Sequence, residues 1–217
     1  MGAAPEDAET VPRDCAVLAI REARRQRPSG TPYGEGDVPS RTLDFPGDGD
    51  EGAGLYRIDV AEGPGGHVRI ANAAVPPAFR ESVNYAEQNL YARARELVGD
   101  RDPRQHELTV QLRAFDAGRN GAQLGMAALL AFCGALLGGS IKGGLVIVGG
   151  LNLGGGLDPV HDAVSVAELA VEKGAQTLLI PVSARRQLFD LSDDMATKLT
   201  IEFYADAREA LLKALGE

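Results

Sequence analysis

Cysteine, histidine and tryptophan are scarce in this chain of 217 residues. It contains two cysteines, three histidines and no tryptophan. Two cysteines cannot build the disulfide framework typical of small secreted domains. Cys133 lies in an apolar helical pattern, where a free thiol behaves as a small hydrophobe. No group of cysteines and histidines has the spacing of a zinc site. The composition therefore predicts a protein of the reducing cytoplasm without a metal site.

Long hydrophobic runs and an excess of positive charge are also missing. The most apolar stretch, residues 127–148, is broken by glycines and by Lys142, so it does not have the character of a membrane span. No charged start followed by an apolar stretch marks a signal peptide. The 31 acidic residues outnumber the 22 basic ones, giving a net charge of −9, which disfavours attraction to phosphate backbones. We expect neither a membrane nor a nucleic acid as a partner of this chain alone.

Composition divides the chain near residue 52. A short helix with an Arg-rich end is predicted from Arg13 to about Gln26. From Pro28 to Gly54 the sequence is rich in Gly, Pro, Asp and Ser, and it cannot bury enough apolar surface to offset its ordering entropy. The prediction is an N-terminal helix and flexible linker over residues 1–51, followed by one domain over residues 52–217.

The second part alternates strand and helix patterns. Apolar alternation and short apolar runs predict strands at 56–60, 68–70, 108–112, 145–148, 177–181 and 199–203. Three- and four-residue spacing predicts helices at 77–98, 121–137, 162–173, 193–198 and 206–215. Asp162 is expected to cap its helix and Gly174 to end it. This order predicts an α+β (α/β) fold with a mixed sheet and packed helices.

The glycine-rich run from Gly149 to Gly156 requires a decision between a turn and a phosphate loop. A phosphate loop needs Gly-x-x-x-x-Gly-Lys-Ser/Thr between a strand and a helix. That spacing is absent from the chain. Tight turns and close backbone packing are the predicted uses of these glycines, and no nucleotide cofactor is expected in this chain.

Several motifs resemble the proteolytic domain of Lon-family ATP-dependent proteases. Glu81-Ser82 is similar to a Glu-Ser pair in the family. The family's order of Gly-turn, Pro, helix, Gly and Ile-Pro is followed by residues 153–160, Lys173-Gly174-Ala175 and residues 177–181. Residues 182–195 and the C-terminal segment resemble the end of the Lon-like protein of BREX phage-defence systems. The resemblance covers about two thirds of the chain and implies a Lon proteolytic-domain-like fold.

The Ser-Lys dyad that active Lon enzymes use has no counterpart at the matching positions. A hydroxyl is a weak nucleophile until a base removes its proton, and a lysine with a lowered pKa can do so. Aligning Gly121 and Gly125 with the family's Gly-Pro-Ser-Ala-Gly puts Gln123 at the serine position, and the resemblance puts Val166 at the lysine position. An alternative register puts Gly121 at the serine position, and neither register supplies a hydroxyl.

Four other residues are candidate substitutes for the dyad. Ser165 neighbours Val166, but one step along a helix turns a side chain by about a hundred degrees. Ser140 with Lys142, and His161 with Ser165, could each pair a nucleophile with a base, although surface or capping roles are the more ordinary ones. We therefore expect no catalytic residue, with these four as the less favoured candidates.

A binding role is predicted at the start of the central helix. Arg119, Asn120 and Gln123 cluster there, where backbone N–H groups could face an acidic group or a peptide carbonyl. The alternative is that Asn120 caps the helix and Arg119 is solvated.

Three functions follow from the resemblance. The first is a silent Lon-like domain that assembles a BREX-type ATPase, the second an active serine peptidase with a relocated nucleophile, and the third a module that binds peptides without cleaving them. A homo-oligomer, by resemblance a hexamer, is expected, with ATP acting only through an upstream or partner AAA+ motor.

Overall fold

A computed structural model describes residues 15–21, 54–115 and 123–215. These residues form a seven-stranded sheet with helices on both faces. The strands are β1 Cys15–Arg21, β2 Gly54–Pro64, β3 Val68–Ile70, β4 His106–Ala114, β5 Leu145–Ile147, β6 Thr177–Pro181 and β7 Thr200–Tyr204. The helices are α1 Pro77–Ala92, α2 Ala94–Leu97, α3 Gly125–Leu137, α4 Ala163–Glu172, α5 Asp193–Lys198 and α6 Ala207–Ala214. The predicted α+β class with a mixed sheet and packed helices is confirmed.

The sheet has the strand order β3-β4-β2-β1-β5-β6-β7. Among the described strands, β2 alone runs antiparallel to its neighbours, and the other neighbouring pairs are parallel. The carboxyl ends of β4, β5 and β6 therefore lie at one edge of the sheet, which we call the carboxyl edge. Ligands of open α/β sheets bind at this edge, and α3 and α4 both follow strands that end there.

The predicted helix from Arg13 to Gln26 is wrong, because residues 15–21 form β1. This strand lies between β2 and β5, in the interior of the sheet. Its register pairs Leu18 with Arg57 on one side and with Val146 on the other. The predicted linker from Pro28 to Gly54 lies outside the described residues apart from Gly54, which begins β2, and the boundary at residue 52 stays a prediction. Even so, β1 belongs to the sheet of the domain that follows that boundary.

Two apolar clusters lie on opposite faces of the sheet, because successive strand residues point to opposite sides. The larger cluster contains Ile147 and Leu179 and is covered by α1, α3 and α6. The smaller one contains Val146, Leu178 and Ile180 and is covered by α4. Twelve of the thirteen residues of α3 are buried, so α3 is the central helix of the larger cluster.

The predicted helix over residues 77–98 is interrupted at Arg93, which separates α1 from α2. The predicted central helix begins at Gly125 rather than Gly121. Asp162 caps α4 as predicted, since its side chain accepts a hydrogen bond from the Ser165 N–H. Gly174 follows the end of α4 with a φ of 76°, the left-handed conformation that favours glycine after a helix. In the described part of the chain, no helix combines the length and apolar character needed to cross a membrane.

Candidate functional site

The glycine-rich run forms a tight hairpin at the carboxyl end of β5. Leu151 bridges Leu157 across it, and the Asn152 side chain accepts a hydrogen bond from the Gly156 N–H at 2.9 Å. Gly155 has a φ of 83°, and a Cβ there would collide with the Arg93 guanidinium. The prediction of tight turns and close packing is confirmed. We call residues 149–158 the glycine hairpin.

Asn89 attaches the glycine hairpin to α1. Its amide group is on a side chain only 2% exposed, and it donates to the carbonyls of Tyr85 at 2.8 Å and Asn152 at 3.0 Å. One helical turn later, Arg93 donates to the Gly154 carbonyl at 3.1 Å. Sequence reasoning missed Asn89, although its position three residues after Ala86 in an apolar stripe was the available signal. These contacts hold the hairpin in one conformation beside α1.

Gln123 lies just before α3, beside the glycine hairpin. The Met126 N–H donates to the Gly149 carbonyl at 3.4 Å, and a Cβ on Gly125 would lie 3.0 Å from the Leu151 Cβ. Gln123 is exposed and adopts a φ of 58°, which is uncommon for a residue other than glycine. Its amide supplies hydrogen-bonding groups but no nucleophile. Arg119 and Asn120, predicted as its neighbours in a binding cluster, lie outside the described residues.

Val166 is completely buried in the apolar cluster under α4. Its neighbours in that cluster include Val160, Ala163, Ala167 and Ile180. An amine there would lose its hydration without a charged partner from the cluster, which strongly disfavours the protonated form. The position predicted for the dyad lysine is therefore part of the hydrophobic core in this chain.

Ser165 is engaged in capping α4. Its hydroxyl donates to Asp162 Oδ2 at 2.9 Å, and its N–H donates to Asp162 Oδ1 at 3.2 Å. Gln187 completes the helix start, since its Oε1 accepts from the Ala163 N–H at 3.0 Å and its Nε2 donates to the Val160 carbonyl at 2.6 Å. The Ser165 hydroxyl thus donates its hydrogen bond to a carboxylate within the cap. It does not contact the amine base that a Ser-Lys dyad requires. His161 is exposed one turn before Ser165.

Ser140 and Lys142 lie far from the carboxyl edge. They belong to the turn that follows α3, where the Lys142 N–H donates to the Ala214 carbonyl at 2.9 Å. Both side chains are exposed. Since α3 has thirteen residues and rises about 1.5 Å per residue, this turn and Gln123 are separated by about 20 Å. The structure therefore does not bring this pair to the glycine hairpin.

An open groove of about 640 Å³ lies along the start of α1. It is lined by Val75, Pro77, Ala78, Arg80, Glu81, Asn84 and Tyr85. The Tyr85 hydroxyl donates to Glu81 at 2.6 Å, and this hydrogen bond raises the pKa of Tyr85. Ser82, of the Glu-Ser pair, is buried and donates to the Ala78 carbonyl at 3.0 Å. This pair therefore contributes to the packing of α1 and to the groove.

The shifted pKa values of two buried or half-buried tyrosines are explained by structural contacts. Burial raises the pKa of Tyr204, whose hydroxyl donates to the Val148 carbonyl at 2.7 Å. Burial, with a hydrogen bond to Glu87, raises the pKa of Tyr91 to about 12. Within the ranges that the structure covers, no three His, Cys, Asp or Glu side chains converge as a metal site would require. The carboxyl edge thus combines an exposed amide, a hydrogen-bonded hairpin and a core valine.

Comparison with known proteins identifies the family. No protein-family model matches the chain. A Lon-like protease BrxL from Escherichia coli O9:H4 (strain HS) is 31% identical over 168 residues, which are 75% of this chain and 24% of that protein. A Lon-like protease BrxL from Bacillus cereus (strain H3081.97) is 27% identical over 94 residues, 43% of this chain and 14% of that protein.

The chain thus spans about a quarter of the length of the first relative. The predicted similarity to the Lon-like protein of BREX systems is confirmed by both relatives. At this identity and coverage, the chain belongs to the Lon-like protease BrxL family.

Proposed function

We propose that this chain is a Lon-like domain without peptidase activity that serves the oligomeric assembly of a BREX-type phage-defence ATPase in the cytoplasm. The observation that carries the proposal is the burial of Val166 at 0% exposure in an apolar cluster. A dyad base must contact the nucleophile, whereas this side chain is part of the core. Gln123, at the other dyad position, carries an amide, which is not a nucleophile of peptidases.

The polar groups around the glycine hairpin support the same proposal. Asn89 and Arg93 donate to the hairpin backbone, and Ser165 donates to Asp162. These groups stabilise the fold rather than a reacting peptide bond. ATP acts on such a domain through a motor in an upstream segment or a partner, since this chain has no phosphate loop.

A peptide-binding module that does not cleave is the second candidate. It is favoured by exposed apolar side chains near the carboxyl edge, because Phe115 is 57% exposed and Val182 is 48% exposed. Phe115 follows β4 and Val182 follows β6. Contiguous exposed apolar patches mark interaction sites, and these two side chains follow strands that end at the same edge of the sheet.

A fluorescent unfolded casein distinguishes the candidates. Anisotropy reports binding, and release of acid-soluble peptides reports cleavage. We expect no peptide release by the purified chain or by its Ser165→Ala and Ser140→Ala variants. Saturable binding that is weakened by Phe115→Ser would favour the peptide-binding module. Peptide release by the unmodified chain that either serine variant abolishes would instead make it an enzyme with a relocated nucleophile.

The double variant Gln123→Ser/Val166→Lys tests the assignment of the dyad positions. It should be assayed at about pH 9, where a buried neutral amine costs less stability. Peptide release by this variant alone would support the two positions as the former dyad. Gln123→Ser alone is the matched control, because it supplies the hydroxyl without the base.

A further inference from the structure

The most exposed large apolar side chain of the described residues is that of Phe189. It is 79% exposed and belongs to a short 3-10 helix that follows β6. The backbone around it is anchored, because Gln187 donates to the Val160 carbonyl at 2.6 Å and Leu188 packs against the smaller cluster. We call residues 186–190 the Phe189 turn. An aromatic side chain presented on an anchored turn loses little ordering entropy on binding, and such side chains are enriched in protein interfaces.

The groove along the start of α1 has the size and lining to receive such a side chain. Its volume of about 640 Å³ is ample for one phenyl ring. The lining includes the apolar residues Val75, Pro77 and Ala78 and the aromatic residue Tyr85. Two aromatic rings in contact attract each other beyond the effect of the area they bury. We call this surface the α1 groove, and it offers both apolar and aromatic contacts to a phenyl ring.

Both surfaces carry one acidic and one basic side chain that form no ion pair with another described residue. In the α1 groove these are Arg80 and Glu81, both exposed. Glu81 accepts a hydrogen bond from the neutral Tyr85 hydroxyl, which leaves the carboxylate charge uncompensated. In the Phe189 turn they are Arg186 and Asp190, one on each side of the phenyl ring along the chain and both exposed. Docking of the turn in the groove therefore offers each of the four charges an opposite partner.

The Phe189 turn does not reach the α1 groove of its own chain. Helix α1 follows the end strand β3 and covers the larger cluster, whereas the turn follows β6 and packs against the smaller cluster on the opposite face. Strands β3 and β6 are five strand spacings apart in the sheet, which is about 24 Å. Each copy thus presents a groove at one end of the sheet and a turn near the other end, so the two surfaces meet only between copies.

We propose that the Phe189 turn of one copy inserts into the α1 groove of the next copy. This contact joins two different surfaces, and head-to-tail contacts of this kind generate rings when the rotation between copies closes. It is therefore compatible with the hexamer that the resemblance implies. The inference rests on the assembly role proposed above and names its contact. It is independent of whether the chain cleaves peptides.

Removal of the phenyl ring tests the proposal, with sedimentation velocity over a range of protein concentrations as the measurement. The wild-type chain is expected to associate. Phe189→Ser should weaken this association at least about tenfold, because it removes the anchor of the contact. Leu212→Ser is the matched control, since Leu212 is also 66% exposed and lies on α6, outside both surfaces. The control should associate as the wild type does.

A charge exchange tests which surfaces meet. Arg80→Asp and Asp190→Arg should each weaken association, because each places like charges together in the contact. The double variant Arg80→Asp/Asp190→Arg should restore it, since every contact then joins opposite charges again, and restoration also shows that both substitutions leave the chain folded. Arg80→Asp/Asp100→Arg is the matched control, because it makes the same charge change with its arginine at an exposed position after α2. This control should remain as weakly associated as Arg80→Asp alone.

Four outcomes would overturn the proposal. A wild-type chain that remains monomeric would contradict both the assembly role and this contact. Association that Phe189→Ser retains, or that the charge exchange fails to restore, would contradict this contact alone. A lower free energy of unfolding for monomeric Phe189→Ser than for Leu212→Ser would assign the turn to another segment of the same chain. Loss of casein binding in Phe189→Ser with unchanged association would assign the turn to a peptide instead of a second copy.

Discussion

A lysine at position 166 should destabilise the fold in a pH-dependent manner. Val166 is 0% exposed among apolar neighbours such as Val160 and Ile180. The ordinary pKa of lysine is about 10.4, and full burial lowers it by up to about 3–5 units. A lysine with a pKa near 6 in the folded state is neutral at pH 7. Since the same lysine is protonated in the unfolded state, losing that proton on folding costs about 4–5 kcal/mol at pH 7. Domains of this kind have a free energy of unfolding of about 5–15 kcal/mol, so Val166→Lys should be marginally stable.

The sign of the pH dependence follows from proton binding. The unfolded state binds a proton that the folded state lacks, so the free energy of unfolding rises as the pH rises from 7 towards 10. The expected slope is about 1.4 kcal/mol per pH unit. Urea unfolding of Val166→Lys at several pH values measures it. Val166→Met is the control, because it adds a long side chain without a charge. Equal stability of the two variants at pH 7, with no slope for the lysine, would refute the burial argument.

Three further perturbations test the contacts around the hairpin and the helix ends. Asn89→Leu should lower the free energy of unfolding by about 2–3 kcal/mol, since buried carbonyls lose their donor. Asn84→Leu, at an exposed position of the same helix, should change it little in the same urea assay. Asp162→Ala should cost about 1 kcal/mol through loss of the α4 cap, and an equal loss in Glu168→Ala would contradict the capping role. The hydrogen bond from Lys213 lowers the pKa of Glu209, so its contribution is present at neutral pH and lost as the pH falls through the folded pKa. Glu209→Gln should therefore reduce the loss of thermal stability on acidification, and an unchanged acid profile would contradict this.

Periodicity was sufficient for the elements that have one buried face. The alternation of Tyr56, Ile58 and Val60 predicted β2, and the spacing around Val166 predicted α4. The apolar run Cys15–Ile20, in β1, lacks that alternation, as is common for strands in the interior of a sheet. Such a short run cannot be distinguished from a helix by periodicity alone, and the arginines that follow it favoured the wrong choice.

The candidate site was only partly predictable. The absence of a hydroxyl and an amine at positions 123 and 166 follows directly from the sequence and the resemblance. The burial of Val166 and the bonds of Asn89 to the hairpin depend on contacts between residues far apart in the chain. Likewise, no local pattern indicates that Gln187 completes the start of α4, because the two elements meet only in the folded protein.

We propose that the serines of the described residues include no activated nucleophile. Treatment of the purified chain with a fluorophosphonate, followed by intact-mass measurement, tests it without knowledge of a substrate. We expect the mass of the native protein to stay unchanged, since Ser165 caps α4 through Asp162 and Ser140 lies in an exposed turn away from the carboxyl edge. A stoichiometric adduct on one serine of the native chain, absent after denaturation, would contradict it.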